Sequence, residues 1–295
     1  MLKFNYQTMK KQLFLISILL ISAFTWAQKK SVKVACVGNS ITYGYGIDNR
    51  EQNSYPSVLQ RLLGKGYEVG NFGYSGVTLL SKGHKPYIQQ EEYKKALAFA
   101  GDIVVIHLGI NDTDPRNWPN YRDDFVKDYL SLIDSFRKAN PKVRIIIARM
   151  TPLAHRHKRF ESGTRDWHSE IQQAIEVVAK EAEVQLIDFH EPMYHYPQML
   201  PDAVHPNNKG AAILAQIVYS GITGNYGGLQ LPEIYTNNMV LQHGQPLPIK
   251  GIANTGTKIM VTIGKQKFTT MADANGKWQV VLDPLKAKEA YTLSI

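Results

Sequence analysis

Val32-Lys33-Val34-Ala35-Cys36-Val37-Gly38-Asn39-Ser40-Ile41-Thr42 is the stretch on which the reading of this chain turns. Its apolar run, 32–37, is too short for a helix and continuous enough to be a strand buried on both faces. Gly38 ends the run, and a turn carrying the hydroxyl of Ser40 follows. An open parallel sheet presents its reactive groups at this place, just beyond the carboxyl end of a strand.

The same rhythm repeats downstream. Apolar strand patterns are predicted at 67–72, 102–108, 143–148 and 184–189. Helical spacing is predicted at 55–63, 91–99, 121–139, 165–182 and 208–219, the first with Ser54 as cap and Pro56 in its first turn. Strands that alternate with helices predict a parallel sheet covered by helices on both faces. Near Gly221 the pattern changes. Residues 221–228 read as a Gly-rich linker, and short alternating segments follow at 239–241, 247–250, 258–263, 267–270, 278–281 and 291–295. Asn275-Gly276 is one of the turn signals between them. This predicts an all-β module, incomplete where the chain stops inside a strand pattern.

With 295 residues and 44% apolar content, the chain accommodates one catalytic domain and a smaller module. Its net charge of +9 is mild once the N-terminus is set aside, where Lys3, Lys10 and Lys11 meet no acid. No Lys/Arg-rich run is interleaved with aromatics, which argues against nucleic acid as a partner. Lys10-Lys11, the apolar run 13–24 and the small residues Ala23 and Ala27 read as a signal peptide over 1–27, with Met9 an alternative start. An exported protein, periplasmic or secreted, is expected, with no stable membrane span after cleavage. The lone cysteine, Cys36, has no internal disulfide partner and reads as a buried strand residue.

Four blocks carry the chemistry: Gly38-Asn39-Ser40-Ile41-Thr42, Asn71-Phe72-Gly73-Tyr74-Ser75-Gly76, Gly109-Ile110-Asn111-Asp112 and Asp202-Ala203-Val204-His205-Pro206. Ser40 reads as a nucleophile, although the same turn suits a helix-capping serine. His205 reads as its base and Asp202, three residues earlier, as the acid that holds the imidazole. His205-Pro206 alone would also suit a helix start. Oxyanion donors are expected from the Ser40 N–H, the Gly73 N–H and the Asn111 amide. Turn chemistry after strands explains Gly73 and Asn111 equally well when each is taken singly. Ser75 is a weaker nucleophile candidate, because Val77 stands where a Gly-x-Ser-x-Gly elbow needs glycine. His155, His157, His190 and His195 lack the tight grouping of a zinc site. Trp118, Tyr121, Tyr194 and Tyr196 read as sugar-stacking or core-capping aromatics. Arg116, His155 and Arg156 read as exposed loop residues or as contacts to an anionic sugar.

Together these blocks resemble the SGNH/GDSL hydrolase superfamily over residues 32–220, with Ser40, Gly73, Asn111 and His205 at its four signature positions and Asp202 as its acid. Asn39 stands where the family name implies Asp. The resemblance implies a flavodoxin-like three-layer α/β/α sandwich around a five-stranded parallel sheet. Farther on, Leu231-Pro232-Glu233-Ile234, Asn238-Met239-Val240-Leu241-Gln242 and Ala272-Asp273-Ala274-Asn275-Gly276-Lys277-Trp278 resemble the opening β-module of bacterial sialate O-acetylesterases. That family places a second esterase domain after this module, which leaves room for one beyond residue 295. The domains expected are a signal peptide at 1–27, an esterase domain at 28–222 and a β-rich module at 223–295. The activity expected is that of a cofactor-independent, metal-free serine esterase removing O-acetyl groups from carbohydrate, of sialate O-acetylesterase type, with sialic acid or a xylan-type glycan as the acetylated partner. An acetylxylan esterase, a lysophospholipase or thioesterase of the same superfamily, or a carbohydrate-binding protein, is the alternative.

Overall fold

A computed structural model describes residues 30–158, 163–287 and 290–295, so the expected signal peptide at 1–27 lies outside the described residues. The strands are β1 (Val32–Gly38), β2 (Tyr67–Gly73), β3 (Ile103–His107), β4 (Arg144–Arg149) and β5 (Gln185–Asp188). They form one sheet in the order β2-β1-β3-β4-β5, and every pair is parallel. Strand order reverses between β1 and β3, and a doubly wound sheet opens its crevice at such a point. Gly38, at the end of β1, is in register with Gly73 on one side and His107 on the other.

The long helices are α1 (Tyr55–Leu63), α2 (Glu91–Phe99), α3 (Phe125–Ala139), α4 (Arg165–Glu181) and α5 (Asn208–Thr223). Alternate strand residues sort them into two layers. Ala35, Val37, Val104, Ile106, Ile145 and Ile147 pack with Ala96 of α2, Phe125, Tyr129 and Ile133 of α3, and Ile171 and Ile175 of α4. Val34, Cys36, Val105, Ile146, Ala148 and Ile187 pack with Tyr55 and Leu59 of α1 and with Leu214, Ala215 and Val218 of α5. The apolar runs of the central strands β1, β3 and β4 are thereby covered on both faces. Cys36 is buried, and burial pushes its thiol up to about 12, so it packs as a small apolar residue.

Two details differ from expectation. The helix predicted at 121–139 begins at Phe125, after short turns at Trp118–Tyr121 and Arg122–Asp124. The residues read as the start of a linker, Gly221 and Ile222, belong to α5. There Ile222 is buried, and the helix ends at Gly224, whose φ of 72° few other residues adopt.

Beyond α5 lie β6 (Leu247–Ile252), β7 (Lys258–Ile263), β8 (Gln266–Met271), β9 (Lys277–Leu282) and β10 (Leu293–Ser294). They make two small sheets, β10-β7-β8 and β6-β9, antiparallel throughout. Ile249, Val261, Ile263, Trp278, Val280 and Leu282 form their shared core. The strand expected at 239–241 is absent, and Val240 there is 96% exposed. Three apolar residues without a pairing partner do not make a strand. The Asn275-Gly276 turn touches the parallel sheet: Gln185 Nε2 donates to Asn275 Oδ1 at 3.0 Å, and Asn275 Nδ2 donates to the Leu186 carbonyl at 3.1 Å.

Candidate active site

The turn after β1 is a single helical turn, Ser40–Tyr43. Asn39 is its cap: the side-chain oxygen accepts the Ile41 N–H at 3.0 Å. Ser40 is therefore not the capping residue. As the first helical residue its N–H has no acceptor within the helix, and the Asn39 cap is given to Ile41 instead.

Ser40 Oγ lies 2.8 Å from His205 Nε2, across 165 positions of sequence. His205 Nδ1 lies 2.6 Å from Asp202 Oδ2. The other Asp202 oxygen accepts the backbone N–H of His205 at 2.7 Å and of Val204 at 3.0 Å. A carboxylate accepts only, so His205 Nδ1 carries the proton and Nε2 is left to accept from the serine hydroxyl. Burial pushes Asp202 up, but the hydrogen bonds from His205 and Val204 outweigh it and leave the carboxyl below its ordinary value.

The Asp-His loop is fixed at both ends. Ala203 donates to the Leu200 carbonyl and accepts from Ala154 N–H, each at 2.9 Å. Asn207 caps α5 by accepting the Gly210 N–H at 3.1 Å. The Tyr45 ring lies beside the imidazole, with ring centroids 4.6 Å apart.

On the oxyanion side the placement is mixed. Asn111 sits in the turn after β3 and donates one amide hydrogen to the Val77 carbonyl at 2.9 Å, leaving its second. Gly73 departs from expectation, because its N–H is donated to Asn71 Oδ1 at 3.0 Å and is not left for an oxyanion. Its lack of a side chain serves packing: a Cβ would stand 2.2 Å from Tyr43 N. Gly76, at φ 81°, is followed by the Val77 that Asn111 holds, and a Cβ there would meet nothing closer than Lys85 at 3.8 Å.

Asp112, quoted in the third block but given no role there, is fully buried. Its two oxygens accept the N–H groups of Leu79 and Leu80, each at 2.9 Å. Asn111 and Asp112 together bind the 77–80 loop to the turn after β3. Burial pushes the Asp112 carboxyl up to about 7, against the lowering effect of those N–H groups. No spacing in the sequence marks this, because the acceptor of two backbone amides is recognised only when the loops meet.

His205 Nε2 meets Ser40 and not Ser75, whose carbonyl accepts Lys85 Nζ at 2.9 Å. Arg116 is paired with Asp114 at 2.9 Å, and Arg156 donates to the carbonyls of Pro197 and Leu200. Among the described residues, no group of three or more His, Cys, Asp or Glu side chains is placed to hold a metal ion. Also among the described residues, no helix is long and apolar enough to cross a membrane.

A serine at the switch point of a doubly wound sheet, hydrogen-bonded to a histidine that is hydrogen-bonded to a carboxylate, has the arrangement that activates a hydroxyl nucleophile. Residues 36–213 match the GDSL-like Lipase/Acylhydrolase family, and the chain belongs to it. An acetylxylan esterase of Xylanibacter ruminicola is 36% identical over 215 residues, which are 66% of this chain and 44% of that protein. The chain thus spans less than half the length of this curated relative. Among solved structures, a protein described as a GDSL-like lipase from Parabacteroides merdae is similar with a TM-score of 0.51 at 20% identity, covering 66% of this chain and 97% of its own. Another, described as an arylesterase from Agrobacterium tumefaciens, has a TM-score of 0.50 at 16% identity, covering 65% and 98%. At these identities the two structures speak for the fold alone.

Proposed function

We infer that this protein is an O-acetyl esterase acting on carbohydrate, with acetylated xylan-type glycans as the first substrate class. The observation that carries the esterase reading is the unbroken line from Ser40 Oγ through His205 to Asp202. Ser40 Oγ attacks the acyl carbonyl carbon while His205 Nε2 takes the hydroxyl proton. The carbonyl oxygen becomes an oxyanion, received by the Ser40 N–H and the second Asn111 amide hydrogen. As the tetrahedral intermediate collapses, the bond to the sugar oxygen breaks and His205 returns the proton to that oxygen. Water then attacks the acyl-serine with His205 again as base, releasing acetate and restoring Ser40. Asp202 orients the imidazole and balances its charge throughout.

The acetylated-sugar reading draws on the relative that is an acetylxylan esterase. The sialate reading draws on the resemblance of stretches 231–242 and 272–278. Arg116 pairs with Asp114, and Arg156 donates to the carbonyls of Pro197 and Leu200. Division into an esterase domain at 28–222 and a β-rich module at 223–295, and export directed by residues 1–27, complete the proposal.

Acetate release from acetylated xylo-oligosaccharides, from O-acetylated sialic acid and from a long-chain acyl ester tests it. The expected order is xylo-oligosaccharide first, with turnover lowered roughly 10³-fold or more in Ser40→Ala because the covalent route is lost. Near-normal turnover in folded Ser40→Ala, or preference for the long acyl chain, overturns it.

A further inference from the structure

Tyr45 has no part in the proton path, yet it lies against the catalytic histidine. Its ring centroid is 4.6 Å from that of His205, with the planes inclined at 48°. It is 53% exposed, so the ring can be reached from solvent. The geometry points to Tyr45 as a stacking platform for the sugar ring whose oxygen departs from the acyl group. This rests on the carbohydrate O-acetyl esterase reading above and names the residue that gives that reading its preference.

The argument begins with the leaving group. His205 Nε2 must hand its proton to the departing oxygen, so that oxygen comes within about 3 Å of Nε2. Whatever is bonded to the oxygen then lies beside the side chains that flank the imidazole. A pyranose or furanose ring presents a face of C–H groups, and an aromatic face beside His205 covers it without requiring a charge or a particular hydroxyl pattern. An alcohol of one carbon does not reach it.

Rigidity supports the same reading. The N–H groups of Gly44 and Tyr45 both donate to the Ser40 carbonyl at 2.9 Å, so the platform is tied to the nucleophile's own backbone. Gly44 and Gly46, with φ of 93° and 73°, close the turn. Asp48 N–H donates to Asn208 Oδ1 at 3.1 Å, which ties the loop to the start of α5 just past His205. A ring with two rotatable bonds on such a turn loses little freedom when it binds. Tyr43, two residues earlier, is different: the Arg50 guanidinium lies 4.3 Å over its ring.

The test compares wild type, Tyr45→Phe and Tyr45→Ala on an acetylated xylo-oligosaccharide and on methyl acetate, following acetate release. The readout is the ratio of kcat/KM between the two substrates. Tyr45→Ala lowers that ratio roughly 5- to 10-fold, mainly through KM for the sugar ester, whereas Tyr45→Phe keeps the aromatic face and the ratio. An unchanged ratio in Tyr45→Ala, or an equal fall in Tyr45→Phe, overturns the platform while leaving the esterase reading intact. Wild type that cleaves methyl acetate but no sugar acetate overturns the carbohydrate reading, and the platform with it.

Discussion

Ser40, His205 and Asp202 hold one another through their side chains, whereas Asn111 and Asp112 use theirs to hold backbone. In the first group each contact is chemistry: hydroxyl to imidazole at 2.8 Å, imidazole to carboxylate at 2.6 Å. In the second, the Asn111 amide grips the Val77 carbonyl and the Asp112 carboxylate grips the N–H groups of Leu79 and Leu80. On the proposed mechanism one half of the site moves protons, and the other half keeps donors where the oxyanion forms. Changes in the first half therefore alter what the enzyme can do at any pH. Changes in the second alter how well a fixed chemistry is aimed.

The sharpest break in this contrast is His205→Ala. Without its base the enzyme is expected to lose roughly 10³-fold or more in kcat, together with any limb of the pH–rate profile that depends on that base. Asp202→Asn costs less and keeps a pH dependence, because the acid orients the imidazole and forms no bond to substrate. The pH–rate profiles of the three proteins decide it; full activity in His205→Ala would leave the serine without a base.

Next in size is Asn111→Ala, which removes an oxyanion donor and one hold on the 77–80 loop. It lowers kcat roughly 10²- to 10³-fold with a smaller change in KM, since the donor acts mainly in the transition state. A raised KM with unchanged kcat would move Asn111 from the chemical step to substrate binding.

The smallest effect sharpens the contrast most. Asp112→Asn leaves the proton path untouched and offers one acceptor where two are needed, so kcat falls by roughly 10-fold through misplacement. It also changes how stability depends on pH. The folded carboxyl is raised above its unfolded value of 3.8 to about 7, so its contribution is full below the unfolded value and is lost as pH rises through about 7. Buried His107 and His168 act in the opposite sense. Desolvation holds them down at about 3 and about 4, and they cost stability as pH falls below 6.5. The difference in Tm between wild type and Asp112→Asn, followed from pH 4 to 8, isolates the carboxyl. A difference that stays constant with pH would show that the group does not titrate in this window.

Much of the fold was legible because it is written in period. The run at 32–37 reads as a strand covered on both faces, and its odd and even residues face two different helix layers. The alternation over 278–281 likewise reads as a strand, and β9 has one face in a core. The segment at 239–241 misled because apolar residues are necessary for a strand and pairing is what makes one. Gly221 and Ile222 misled because glycine counts as a linker signal until Ile187 is found packed against it.

The sequence by itself determined the residue types and their order: a serine beyond the first strand, an asparagine beyond the third, an Asp-His pair before the last helix. Side-chain chemistry is local, so it can be read residue by residue. Which backbone amide remains free is not local. The Gly73 N–H was lost to Asn71, the Ser40 N–H was spared because the Asn39 cap reaches Ile41, and the loop beside Asn111 is held by a carboxylate that the sequence leaves without a partner. Only the tertiary structure decided these, because a backbone donor is available or engaged according to what the fold brings within 3 Å of it.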